Sequence, residues 1–461
     1  MKKIFLTCVV ALSCTLFMPE YAAAAAGQPE EEGEISRPPK RQRVHDAASL
    51  EIDESAAAFE PATEPARKVG TLLTRPWPTP RFGAVMCRPL TGKVNVTQLA
   101  KPYLDEGGDG KLRYKIQDEE SLSLFKSVVS WPASRSFRRA VHLHLGFQKD
   151  FYSEEIAAAV EDLTIEPHGS FEAPAWLSDM HALKVLSFYP DPDGNNNEKI
   201  SFSSIFRFPL SLEELYLDNV DLSRIPPSTS SLPNLKKLNL YHNPNLRIPS
   251  DFEFPLALEV LELYYNDLTQ LPPGISQLPA LKVLRIEEGG FEDSLVIPSR
   301  FEFPVSLEKV VLVGTNLKRL PTALLNLPRL ISLTLANNNF SRSSIAMARF
   351  PSTLRKLKLR GCRLREIPGG IQNHPELRTL TLAGNSAITT ISDRFVFPPL
   401  LEELHLNGCP LSRIPAGVER LPHLHTLWLD ASTPIPAWLQ AKMDRGEIEV
   451  VVNWQRLSTR R

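Results

Sequence analysis

Leu212-Glu-Glu-Leu215-Tyr-Leu217 returns as Leu235-Lys-Lys-Leu238-Asn-Leu240, as Leu258-Glu-Val-Leu261-Glu-Leu263 and as Leu401-Glu-Glu-Leu404-His-Leu406. The phrase occurs ten times, starting at Leu212, Leu235, Leu258, Leu281, Leu307, Leu330, Leu354, Leu377, Leu401 and Leu424. Successive starts are 23, 23, 23, 26, 23, 24, 23, 24 and 23 residues apart. Alternate side chains of a strand point to opposite faces, so the apolar residues at offsets three and five enter one core and those between them face out. One such unit cannot offset the ordering of its own backbone, and only stacking against its neighbours makes it stable.

The repeats come in two alternating forms. In the first, a leucine ten residues into the unit is followed by Ile or Leu and then Pro, as at Leu222, Ile225 and Pro226 or at Leu411, Ile414 and Pro415. In the second, the return limb ends in Phe-Pro shortly before the next strand: Phe208-Pro209, Phe254-Pro255, Phe303-Pro304, Phe350-Pro351 and Phe397-Pro398. Proline fixes φ and removes a donor, so these positions hold the return limbs to short turns or 3₁₀ segments instead of long helices.

The pattern L-x-x-L-x-L-x-x-N-x-L-x-x-L/I-P, clearest from Leu258 to Pro272 and from Leu401 to Pro415, resembles the leucine-rich repeats of bacterial, Ras-scaffold and plant disease-resistance proteins. The resemblance covers residues 140–454, about two thirds of the chain. It implies an α/β solenoid: a leucine-rich repeat horseshoe with a parallel concave sheet and a convex side of short turns and 3₁₀ segments. It also implies a binding scaffold, the partner varying from one member to another.

Outside the perfect repeats the chain divides by composition. Residues 1–26 read as a secretory signal peptide: Lys2 and Lys3, an apolar run from Ile4 to Met18, and Ala22 to Ala26 before Gly27. About 15 apolar residues are short for a membrane span of about 20, so export to the periplasm or the outside is expected, with no membrane attachment after cleavage. Residues 27–81, rich in Pro, Glu and Ala, read as a disordered arm. Its Arg37-Pro-Pro-Lys40-Arg41-Gln-Arg43 stretch resembles a nuclear-import signal, but a solvated charge cluster beside Glu30, Glu31, Glu32 and Glu34 is the favoured reading.

Residues 82–137 read as a capping segment over the first edge of the solenoid, with an amphipathic helix from Glu119 to Trp131, Asp118 as its N-cap and Pro132 as its stop. The acidic Asp105-Glu-Gly-Gly-Asp109-Gly reads as a plain turn, because it lacks the spacing of a calcium loop. The repeat domain spans 138–454. Its early strands start at Ala140, Val160 and Leu183, a loop is inserted at Asp191-Pro-Asp-Gly-Asn-Asn-Asn197, and Trp438 to Arg445 with Ile448 to Val452 form a closing helix and strand before the tail 455–461. That makes about fourteen strands and a solenoid of roughly 65 Å at about 4.8 Å per strand.

Chemistry is sparse. A net charge of −1 gives no polyanion-seeking bias, so nucleic acid is not an expected partner. The asparagine expected at offset eight is kept at Asn243, Asn266, Asn338 and Asn385 but is Cys362 and Cys409 elsewhere. Strand spacing puts those cysteines about 10 Å apart, beyond disulfide reach, and small buried replacements for asparagine explain them better than a metal or redox pair. With Cys87 they are the only cysteines after the leader, which disfavours the disulfide-capped receptor type. No phosphate-binding loop, zinc-protease, serine-hydrolase or kinase motif is present, and no cysteine stands in the Cys-x-Asp motif of the ubiquitin-ligase effectors that share these repeats. No enzyme activity, cofactor or metal is expected.

The concave face can be read as a map, because offsets two, four, six and seven point there. Tyr189, Tyr216, Tyr241, His242, Tyr264 and Tyr265 fall together, followed by Arg285, Glu287 and Glu288. Lys356, Lys358 and Arg360 form a basic spot, and Glu403, His405, Trp428 and Asp430 come last. The function expected is a non-catalytic protein–protein interaction scaffold that holds a protein or peptide on this face. The alternative is an exported bacterial effector acting on host proteins, alone or within a ubiquitin ligase or signalling complex.

Overall fold

Along Lys237–Tyr241, Leu238 and Leu240 are buried while Lys237, Asn239 and Tyr241 stay partly exposed, and this alternation repeats from strand to strand. The strands pair in parallel so that Leu215, Leu238, Leu261, Leu284 and Val310 lie side by side, followed by Leu333, Leu357, Leu380, Leu404, Leu427 and Val450. All are buried in one continuous core. A second buried row, from Leu217 through Leu240, Leu263 and Ile286 to Leu312, runs parallel to it.

The computed structural model describes residues 104–106, 112–129, 140–144, 151–166, 170–189, 199–288, 295–298, 300–346, 348–452 and 455–456. These lie in one compact unit, Val96–Arg461. The leader expected over 1–26, the arm over 27–81, the inserted loop at 191–197 and Pro132 fall outside the described residues.

Among the described residues the main sheet has seventeen strands. Leu104–Glu106 at one end and Gln455–Arg456 at the other pair antiparallel, and the fifteen strands between them, from Leu112–Ile116 to Glu449–Val452, run parallel. A small parallel pair, Ser170–Glu172 with Lys199–Ser201, lies apart from the main sheet.

The parallel strand of the main sheet beyond the fourteen expected is Leu112–Ile116, which the sequence had assigned to a separate cap. It buries Tyr114 and Ile116 and pairs with Ala140–His144. The helix that follows it, Glu119–Val128, is capped by Asp118: the carboxylate accepts from the Ser121 backbone N–H at 2.8 Å, and the Ser121 hydroxyl accepts from the Asp118 N–H at 3.1 Å. Tyr114 ties strand to helix by donating to the Ser121 carbonyl at 2.9 Å. The acidic stretch beginning at Asp105 is also not all turn, since Leu104–Glu106 is a strand.

The register corrects the start of the next strand. Val141 pairs with Leu163 and Leu143 with Ile165, so the phrase opens at Arg138, two residues before Ala140. A slip of two keeps the same side chains on the same face, so alternation alone cannot detect it.

On the other side of the core the prolines act as expected. Short 3₁₀ segments at Ala175–Asp179, Pro227–Ser231, Pro273–Gln277 and Thr322–Asn326, and a helical turn at Ala416–Glu419, each begin directly behind a proline. The alternate repeats carry paired phenylalanines, such as Phe252 with Phe254 at 5.0 Å and Phe395 with Phe397 at 4.9 Å between ring centroids. The closing helix is Ala437–Asp444, followed by the strand Glu449–Val452.

The offset-eight residues bind each repeat to the one before it. Asn266 donates to the Leu240 carbonyl at 2.6 Å and accepts from the Asn243 N–H at 3.0 Å. Asn385 likewise donates to Leu359 at 2.9 Å and accepts from the Cys362 N–H at 2.9 Å. Cys362 and Cys409 keep the donor half of this role, reaching the Leu335 carbonyl at 2.8 Å and the Leu382 carbonyl at 3.1 Å. Burial pushes their thiols up to about 12 and about 11, so both remain protonated donors and are poor nucleophiles. Both are free.

Candidate interaction surface on the concave sheet

Offsets two, four and six form three rows on the open face of the sheet. The middle row passes from Tyr216 to Asn239, Glu262 and Arg285, and the upper row from Tyr241 to Tyr264 and Glu287. Tyr241 is the hub of an aromatic cluster, with ring centroids 6.0 Å from Tyr264, 5.7 Å from Tyr265 in an edge-on arrangement and 6.1 Å from His242.

Tyr216 joins this cluster through charges instead of ring contact. Lys237 sits over the Tyr216 ring at 4.9 Å and pairs with Glu262 at 3.3 Å. Glu262 also takes Arg285 at 3.3 Å, and Arg285 donates to the Tyr264 hydroxyl at 2.8 Å. These side chains are therefore fixed before any partner arrives, which lowers the ordering entropy of binding. Burial raises the Tyr264 phenol to about 12 and moves Tyr216 up as well, so both hydroxyls stay protonated.

Tyr189 lies at the offset of Tyr241, two repeats earlier. It is 41% exposed, and the repeat between it and Tyr241 carries Asp218 at the same offset. The Oδ1 of Asp218 is buried with no hydrogen-bond partner among the described residues, and burial pushes its carboxyl up to about 7.

A feature of the turn marks the same region. Offset seven has left-handed backbone in eight of the ten repeats, Glu288 and Ala431 being the exceptions: Gly314, Gly361, Gly384 and Gly408 have φ of 65°, 62°, 69° and 72°. His242 and Tyr265 occupy the equivalent places with φ of 53° and 52°. An L-residue pays about 1 to 2 kcal/mol for this conformation and glycine does not. Aromatic side chains held there at a cost, beside Tyr241, fit strain retained at a working surface. His242 Nδ1 is further fixed 2.8 Å from Asn219 Oδ1.

Beyond Glu287 the face turns basic. Lys356, Lys358 and Arg360 lie on successive alternate positions from Lys356 onward, and the register adds Lys309, aligned with Lys356 through Ser332. Lys309 stands at offset two from Leu307, a concave-face position readable from the sequence. Further along, His405 stacks on Trp428 with centroids 5.3 Å apart and planes 13° from parallel, and its Nε2 lies 3.7 Å from Glu403. Burial lowers the His405 pKa, favouring the neutral ring.

Glu288 does not join the open face as expected. Its Oε2 accepts from the Asn266 and Asp267 backbone N–H groups at 3.2 and 2.9 Å. It replaces the asparagine acceptor where position 289 is glycine. Burial pushes its carboxyl up to about 7 from an ordinary 4.5. A folded-state pKa above the unfolded one gives stability that is full below about 4.5 and is lost as pH rises through about 7. Asp218 acts in the same direction. The melting temperature of an Asp218→Asn, Glu288→Gln double variant is therefore expected to fall less between pH 4.5 and 7 than that of the parent. Parallel curves in thermal melts across that range would show the two carboxyls titrating normally.

Among the described residues no group of three or more His, Cys, Asp or Glu side chains could hold a metal ion. Residues 352–411 match the family described as leucine rich repeat. No curated protein matches the chain. Similar solved structures include an internalin from Listeria monocytogenes, with 17% identity over 78% of this chain and 94% of that one and a TM-score of 0.48. The TLR13–ssRNA13 complex has 19% identity over 69% of this chain and 55% of that one, with a TM-score of 0.46. A leucine-rich repeat protein of Leptospira interrogans has 19% identity over 73% of this chain and 99% of that one, with a TM-score of 0.33.

Proposed function

We propose that this chain, a leucine-rich repeat protein, is a non-catalytic scaffold that holds a protein or peptide partner on its concave face, centred on Tyr241 and Tyr264. The observation that supports this most is the aromatic cluster itself. Tyr241, Tyr264 and Tyr265 are in ring contact on a sheet face, and Tyr265 keeps a backbone conformation that glycine adopts in four other repeats. Tyrosine offers a large contact area, a hydrogen-bonding end and few rotatable bonds, which is why it is enriched at binding hot spots. The Lys237–Glu262–Arg285 network holds Tyr264 through the hydrogen bond from Arg285.

Site-specific photocrosslinking tests the proposal. p-Benzoylphenylalanine placed at Tyr264, and separately at the exposed Glu302 between two convex-side phenylalanines, is irradiated in cells expressing the full chain. A discrete protein adduct from position 264 and none from position 302 is the expected outcome. An adduct from position 302 alone would move the binding surface to the convex side.

A further inference from the structure

Several charges of the sheet are neutralised where they stand. Along one edge of the sheet they alternate from strand to strand: Lys184 meets Glu161 at 3.3 Å, Lys236 meets Glu213 at 2.8 Å and Lys282 meets Glu259 at 2.7 Å. On the concave face, Lys237 and Arg285 share Glu262. Four other cations of this face, Lys309 on one strand and Lys356, Lys358 and Arg360 along the next but one, gather across Ser332–Thr334, and none forms an ion pair among the described residues.

Their mutual repulsion is visible at Lys309. Its ammonium is partly buried, and burial together with the nearby Arg285, Lys358 and Lys356 lowers its proton affinity. Like charges brought together on a partly desolvated face destabilise the free protein, and carboxylates supplied from outside would relieve that cost. The patch spans two strand steps, about 10 Å, by four residues along a strand, about 13 Å. From Tyr241 to Arg360 the face crosses five strand steps, about 24 Å, which an extended peptide covers in about seven or eight residues at roughly 3.3 Å each.

We infer that the partner lays an extended acidic segment across Lys309, Lys356, Lys358 and Arg360, continuous with an apolar or aromatic portion seated on Tyr241 and Tyr264. This rests on the scaffold reading above and names the chemistry of the partner. A peptide fits better than a nucleic acid strand because carboxylates bracket the patch. Glu262 and Glu287 lie on the strands before it, and Glu403 lies beyond it on Glu403–His405. A phosphate backbone longer than the patch would run onto those carboxylates, whereas a short acidic segment ends before them.

The test selects a displayed library of random 12-residue peptides on the full chain. It then measures the best binders, and a 12-nucleotide single-stranded RNA, against the parent and two charge-reversed variants. The variants are K356E/K358E and, as a control with the same change in charge at exposed positions in a turn, K318E/R319E. Enriched peptides are expected to be rich in Asp and Glu, to lose at least tenfold in affinity with K356E/K358E, and to bind the control as they bind the parent. If the reversed variant does not fold, K356Q/K358Q should still lose severalfold. Enrichment of neutral or basic peptides, no enrichment, or equal loss in both variants would overturn the inference. RNA binding more tightly than the peptides and failing with K356E/K358E would overturn it in favour of nucleic acid. A crosslinked partner at position 264 together with non-acidic peptides would leave the scaffold reading standing and remove only this inference.

Discussion

Replacing Leu261 with alanine is expected to lower the stability of the protein by about 2 to 5 kcal/mol, the range for a buried leucine whose removal leaves a cavity. Leu261 is fully buried and lies in register with Leu238 on one side and Leu284 on the other, both also fully buried. Its side chain therefore belongs to two interfaces at once. In a solenoid, stability is close to a sum of repeat and nearest-neighbour terms, so the lost packing should loosen the flanking repeats as well as its own. Denaturant unfolding should show the loss, and amide exchange should accelerate in Lys237–Tyr241 and Val283–Glu287. An unfolding curve matching the parent would mean that these leucines do not carry the stacking.

The repeat, its phase and its two alternating forms were legible because the apolar spacing and the prolines enforce them physically. Ten successive phrases kept the alternation, and every paired strand among them has the register that the offsets implied. Legibility failed where that pattern thins. Leu112–Ile116 buries Tyr114 and Ile116, and Tyr114 lies 27 residues from its partner Val141, so the strand read as part of a cap.

At the candidate surface, the positions of the tyrosines could be read but not their contacts. Offsets placed Tyr189, Tyr216, Tyr241 and Tyr264 on one face. They did not distinguish Tyr241 and Tyr264 in ring contact from Tyr189, set apart by the repeat of Asp218. The left-handed turn at offset seven was signalled by Gly314, Gly361, Gly384 and Gly408, yet hidden at His242 and Tyr265, whose side chains give no hint of it. Glu288 was misplaced for a related reason. Its carboxylate follows unsatisfied backbone N–H groups into the turn, a demand that exists only after the neighbouring repeat has stacked.

The second large effect expected is on binding, and it bears on the central claim that the concave aromatic cluster is the working surface. Tyr241→Ala with Tyr264→Ala removes two touching rings and the acceptor of the Arg285 hydrogen bond, but leaves the buried leucine rows intact. The double variant should therefore fold with a melt close to that of the parent. The deciding measurement is the equilibrium affinity of the parent and this variant for the partner identified by crosslinking, titrated as purified proteins. A loss of at least about 2 kcal/mol, roughly thirtyfold, is the result predicted for a hot spot, and an unchanged affinity in a folded double variant would contradict it.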